Sequence, residues 1–253
     1  MINKIVSIFA IVFILISCNE DKPLTFSSEE FNQSKLEECK GLDCPEISVN
    51  YLIASGNQEV QKRINQAIEQ EVIDGLNPVR TDSVVNYNSI NEAAEAFINS
   101  YKEDKAAFPD MASGYESKID IAKSRESNEL VSLKSEIYGY MGGAHGFTIL
   151  SYLNFDAQTG EKLANEELFI NNNAFKNFAE KKFREKFDIP NDDAINSTGF
   201  WFKDEIFVLP EAIGYEGENL VLIYNQYEIA SYAEGQIILN IPIEQAEEYL
   251  AFR

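Results

Sequence analysis

One stretch governs how the rest of this chain can fold. Ile5 to Ile16 is almost wholly apolar and follows a start, Met1 to Lys4, that carries a positive side chain. Such a run is shorter than the roughly 20 apolar residues of a membrane-spanning helix, but it suits the core of a secretory signal peptide. No second apolar run of comparable length follows in the 253 residues. The remainder must therefore bury its hydrophobic residues in a soluble core of its own, in an oxidising compartment. Its 45% hydrophobic and 12% aromatic content is that of a folded globular protein.

The apolar run ends in Leu15-Ile16-Ser17-Cys18, which resembles the lipobox of bacterial lipoproteins: a small residue precedes the cysteine that is lipidated. The expectation is a signal peptide over residues 1–17, lipidation at Cys18 and a soluble mature protein held at the membrane by acyl chains. Asn19-Glu20-Asp21-Lys22 resembles the acidic export signals of Bacteroidota surface lipoproteins. The expected location is the outer membrane, with its facing open. Loss of residues 1–17 removes one charge, Lys4, and takes the net charge from −21 to −22. So acidic a surface repels nucleic acid and attracts basic partners.

Residues 18–45 read as a lipidated tether, polar and acidic, ending in "CKGLDC". Cys39 and Cys44 are close, even in number and separated by a Gly, and a disulfide is expected between them. Beyond Pro45, Ile47 to Tyr51 alternates as a strand. Asn57 to Ile73 and a segment capped by Ser89 carry apolar residues at helical spacing. Tyr115 to Ala122, Leu130 to Tyr140 and Phe147 to Phe155 alternate as strands, and Ala174 to Phe187 repeats as a helix. Phe200 to Leu209, Asn219 to Tyr224 and Gln236 to Ile241 read as three further strands before a short terminal helix. The pattern predicts an α+β fold of antiparallel sheets with packed helices, in two associated halves, 46–146 and 147–253.

The single histidine sits in "YMGGAHG", residues 140–146. Catalysis by His145 needs a nucleophile or a paired carboxylate in reach, and no GxSxG elbow or free thiol accompanies it. A metal site wants further ligands. The stronger readings are a turn in which Gly142, Gly143 and Gly146 adopt positive φ, and a presented loop that touches a partner. The adjacent carboxylates Glu166-Glu167, Asp192-Asp193 and Glu247-Glu248 read as solvated faces. Asp188 to Gly199 does not match a calcium loop.

Three segments, residues 138–169, 219–235 and 238–250, together resemble the extracellular domain family of RsiV, a lysozyme-sensing anti-sigma factor, and PdaC, a peptidoglycan deacetylase. The resemblance covers about residues 46 to 250. It implies a mixed α+β fold and non-enzymatic binding. The deacetylase domain's Asp and paired histidines have no counterpart here, and the sigma-binding and membrane-spanning segments of the RsiV type are not expected ahead of a signal peptide. Ser231 stands where the family often has Pro before the tyrosine of its second motif, Tyr232.

The expected protein is therefore a lipid-anchored envelope binding domain with no catalytic, cofactor-binding or metal-binding residue assigned. Its expected partner is a basic protein such as lysozyme, or a cell-wall glycan, besides the membrane through its anchor. The candidate contact residues are Tyr140, Gly142, Gly143, His145, Tyr227, Glu228 and Tyr232. An envelope enzyme using His145 on peptidoglycan and a purely structural lipoprotein remain the alternatives.

Overall fold

A computed structural model describes residues 22–40, 44–77, 86–111 and 114–252. The signal segment 1–17 and the lipidation position Cys18 lie outside the described residues.

Five strands form the larger sheet: β1 (Thr25–Asn32), β2 (Glu46–Ser55), β3 (Glu116–Glu126), β4 (Leu130–Tyr140) and β5 (Phe147–Asp156), in that spatial order. All neighbours are antiparallel except β2 and β3, which run parallel with Val49 opposite Ile119. A parallel pair needs a crossover, and here two helices lie within it. These are α1 (Gln58–Leu76) and α2 (Ile90–Ala107).

The helices start where side chains satisfy their first free N–H groups. Asn57 accepts from the Glu59 N–H, and Ser89 accepts from the Glu92 N–H. Val60, Ile64, Ile68 and Val72 form the buried stripe of α1, as the spacing predicted. With Ile47, Val49, Ile119, Leu133 and Phe155 from the sheet, they make the first core. Asn65 of α1 docks onto β2 by bonding both the N–H and the C=O of Ala54, at 2.7 and 2.9 Å.

The smaller sheet is an antiparallel meander of β6 (Ala212–Glu216), β7 (Asn219–Tyr224) and β8 (Ile237–Pro242). Its core is aromatic. Phe183 of α3 (Asn172–Lys186) lies within 6 Å, ring to ring, of Phe187, Phe200, Phe202, Phe207 and Tyr224. A single turn of helix, α4 (Ile243–Ala246), follows β8.

The sheets meet where β6 crosses β4 and β5. Leu150 and Tyr152 pack there against Ala212, Val221 and Ile223. A buried polar chain runs through the junction. The Ser132 hydroxyl donates to Asn154 Oδ1, the Asn154 amide donates to the Ile213 carbonyl, and the Tyr215 N–H donates to Ser132 Oγ.

The α+β class holds, and three readings need correction. The region taken as a tether is folded from Thr25 onward, because Phe31 and Leu36 bury themselves in the first core and β1 pairs along β2. The boundary after residue 146 cuts the hairpin of β4 and β5; β5 completes the first sheet, so the halves part after it. The larger sheet is mixed rather than wholly antiparallel.

Phe200 to Leu209 is not a strand. Asn196 takes both backbone groups of Phe202, each at 2.8 Å. Asp204 and Glu205 then adopt positive φ in a short 3-10 turn. That turn lets Phe202 and Phe207, five residues apart, both enter the core at 3% and 2% exposure. An unbroken strand would send them to opposite faces. The disulfide between Cys39 and Cys44 is present.

Candidate functional site

β4 runs straight into "YMGGAHG", and β5 leaves it. At the turn end of this hairpin two glycines lie under aromatic rings. The Tyr138 ring covers Gly146, where a side-chain carbon would approach to 2.6 Å, and the Phe147 ring covers Gly139 at 2.4 Å. Of the three glycines expected at positive φ, only Gly142 adopts it, at +76°, the left-handed conformation that favours glycine; Gly143 and Gly146 do not. The Tyr140 hydroxyl donates to the Gly143 carbonyl at 3.0 Å and braces the turn from within.

His145 is exposed. Its Nδ1 lies 3.0 Å from the Gly146 carbonyl. A carbonyl only accepts, so this bond puts the ring proton on Nδ1. One face of the imidazole stacks on the Tyr232 ring, centroid to centroid 4.0 Å at 26°. Tyr232 belongs to the other motif loop, and its hydroxyl donates to the same Gly146 carbonyl at 3.0 Å. Tyr227 lies next in line, its ring 5.7 Å from that of Tyr232. It has φ +67° and is 59% exposed.

Two segments 80 or so residues apart thus converge because β5 is an edge strand whose outward backbone groups need partners. The loop after β7 supplies them. Asn225 bonds both the N–H and the C=O of Leu150 at 2.9 Å. Gln236 donates to the Thr148 carbonyl at 3.4 Å, and Tyr232 caps the row at Gly146. Asn225 and Gln236 escaped the sequence reading; an Asn directly after the apolar run of β7 was the one available signal.

The seven candidate residues therefore divide. His145, Tyr232 and Tyr227 form one row of rings, exposed at His145 and Tyr227 and half-buried at Tyr232. Tyr140, Gly142 and Gly143 shape the turn that carries it. Glu228 supports the second loop, its carboxylate accepting the Asn225 N–H at 2.8 Å. Although the residue is exposed as a whole, partial desolvation of that carboxylate holds Glu228 above the usual carboxylate value; the Asn225 bond opposes this, and the nearby charge of Glu211 adds a smaller rise. Among the described residues no group of three or more His, Cys, Asp or Glu side chains converges on a common metal position.

Residues 38–148 match the family described as Deacetylase PdaC, and residues 166–244 match the Protein of unknown function family DUF3298. Two solved structures share the fold. A DUF3298 family member from Bacteroides fragilis aligns with a TM-score of 0.66 at 17% identity, over 91% of this chain and 95% of its own. A DUF3298 family protein from Pseudomonas aeruginosa aligns at 0.57 and 16% identity, over 90% and 94%. No curated protein matches. Domains of these two kinds are typical of extracellular and envelope proteins. One match thus falls on each half of the fold: the first half is similar to a PdaC-type domain and the second to a DUF3298 domain.

Proposed function

We propose that this protein is a lipid-anchored binding domain of the outer membrane that captures a basic, lysozyme-like muramidase through the row His145–Tyr232–Tyr227. The observation that carries the reading is the convergence of the two motif loops, which stacks His145 on Tyr232 and ties both to the Gly146 carbonyl. Rigid aromatic side chains give large contact area at little cost in conformational entropy, and Tyr is enriched among the residues that dominate binding energy. The rings of His145 and Tyr232 are already held before a partner arrives. The acidic surface supports the same reading, since it speeds the approach of a cationic protein.

A second reading, an envelope enzyme using His145 as acid or base, has one observation in its favour: the imidazole is accessible. Against it, among the described residues no carboxylate is bonded to the ring; its Nδ1 is engaged by a backbone carbonyl and one face by Tyr232. The binding reading predicts that the chain from Asn19 onward, which retains every described element, binds lysozyme at low ionic strength and slows its hydrolysis of cell walls. Tyr232→Ala should weaken binding by about tenfold or more. Absence of binding by the unaltered chain at low salt overturns the proposal.

A further inference from the structure

A pocket of about 360 Å³ opens immediately beside Tyr232, between the turn Thr198–Trp201 and the loop Ala230–Glu234, with Phe187 and Ile237 completing its wall. Its size is at the small end of the ~300–1,000 Å³ of ligand pockets. The turn is fixed against the loop by the Trp201 N–H, which donates to the Ile229 carbonyl at 3.0 Å. The indole itself remains 45% exposed although its neighbours Phe200 and Phe202 belong to the second core. Glu234 is the sole charged residue of the lining. Its carboxylate is exposed and forms no ion pair among the described residues.

A pocket of mixed polar and apolar lining that holds Phe187, Ile237, an exposed Trp201 and an unpaired carboxylate suits one kind of group. Arginine and lysine side chains carry an apolar stem and a cationic head. The stem gains from apolar walls, and the head gains from a Trp face, the best of the aromatic partners for a cation. We propose that this pocket receives one arginine or lysine side chain of the basic partner, the stem against Phe187 and Ile237 and the head between Trp201 and Glu234. The inference rests on the binding function proposed above and extends it. The rings of His145, Tyr232 and Tyr227 supply the contact surface, and the pocket beside them selects for positive charge.

Trp201 is the single tryptophan of the chain, so its fluorescence reports on the pocket directly. The chain from Asn19 onward is titrated with N-acetyl-arginine amide and, in parallel, with its neutral isostere N-acetyl-citrulline amide. A saturable change is expected with the arginine compound in the millimolar range, as suits a ligand of this size, and about five- to tenfold weaker binding in Glu234→Gln. An equal response to both compounds, no response to either, or a response only to N-acetylglucosamine oligomers overturns the inference. With lysozyme as partner, Trp201→Ala and Glu234→Gln should each lower affinity at least about tenfold while leaving the melting temperature unchanged. Unaltered lysozyme affinity in both variants refutes the pocket's role and leaves the binding function standing. A chain that ignores lysozyme yet answers the arginine amide refutes the lysozyme reading and supports the pocket.

Discussion

Tyr152 shows how a single side chain locks the two sheets together. Its ring occupies the space left by Gly214 on β6, where a side-chain carbon would lie 2.1 Å from the ring. Its hydroxyl donates to Glu216, which also pairs with Lys134 at 2.8 Å. Gly214→Ala must therefore displace the ring, and a loss of roughly 1–3 kcal/mol is expected in chemical denaturation. Burial by itself would raise the Glu216 carboxyl, but hydrogen bonds from Lys134 and Tyr152 outweigh it and hold the group below its ordinary 4.5. A depressed carboxyl contributes stability above its unfolded value and loses it as pH falls through the folded one. Glu216→Gln should thus cost about 1 kcal/mol or less at pH 7, given the partial exposure of the pair. Thermal melts should show the gap to the parent closing below about pH 4.5. Glu228 is raised, so the sign reverses: Glu228→Gln should melt slightly higher than the parent at pH 7 and lose that advantage in acid. A gap independent of pH contradicts either assignment.

At the scale of elements, the outer edge of β5 is covered by the loop after β7. Asn225→Ala would leave both backbone groups of Leu150 without their partner, which costs roughly 1–3 kcal/mol. Urea unfolding should register that loss at an unchanged slope, and the exposed edge should favour self-association at high concentration. An unaltered midpoint shows that water replaces the amide without penalty. Most elements were readable beforehand, since α1, α2 and α3 repeat every three or four residues, β3, β4 and β5 alternate, and β7 is a short apolar run. The failures have local causes. β1 reads "TFSSEEFN", and as an edge strand it buries only Phe31, so its alternation is nearly invisible. β6 is five residues with a glycine at its centre. Phe200 to Leu209 is rich in aromatic and β-branched residues, as a strand would be, but an Asn side chain from outside the segment occupies its backbone.

The whole molecule is two cores joined by a small apolar seam and a buried Ser–Asn chain, with the aromatic row at the edge where β5 meets the second half. The strongly acidic net charge acts at this scale. The rate of association with lysozyme should fall at least about tenfold between low salt and 0.5 M, while dissociation changes little, because screening weakens steering more than close contacts. Stopped-flow measurement of both rates checks this, and a salt-independent association rate refutes electrostatic capture. What the sequence by itself determines are properties that depend on near neighbours or on sums: the periodicity of helices and strands, the caps at Asn57 and Ser89, the close cysteine pair and the acidic balance. It also carried, in ordered motifs, the resemblance that the two matched domains bear out. Only the tertiary structure decided that β1 joins the sheet, that β2 and β3 run parallel, and that His145 stacks on Tyr232 beside a pocket faced by Trp201. The physical reason is that these depend on which unpaired edge and which loop meet across some 80 residues, and a backbone N–H or C=O that seeks a partner leaves no mark in the residue that carries it.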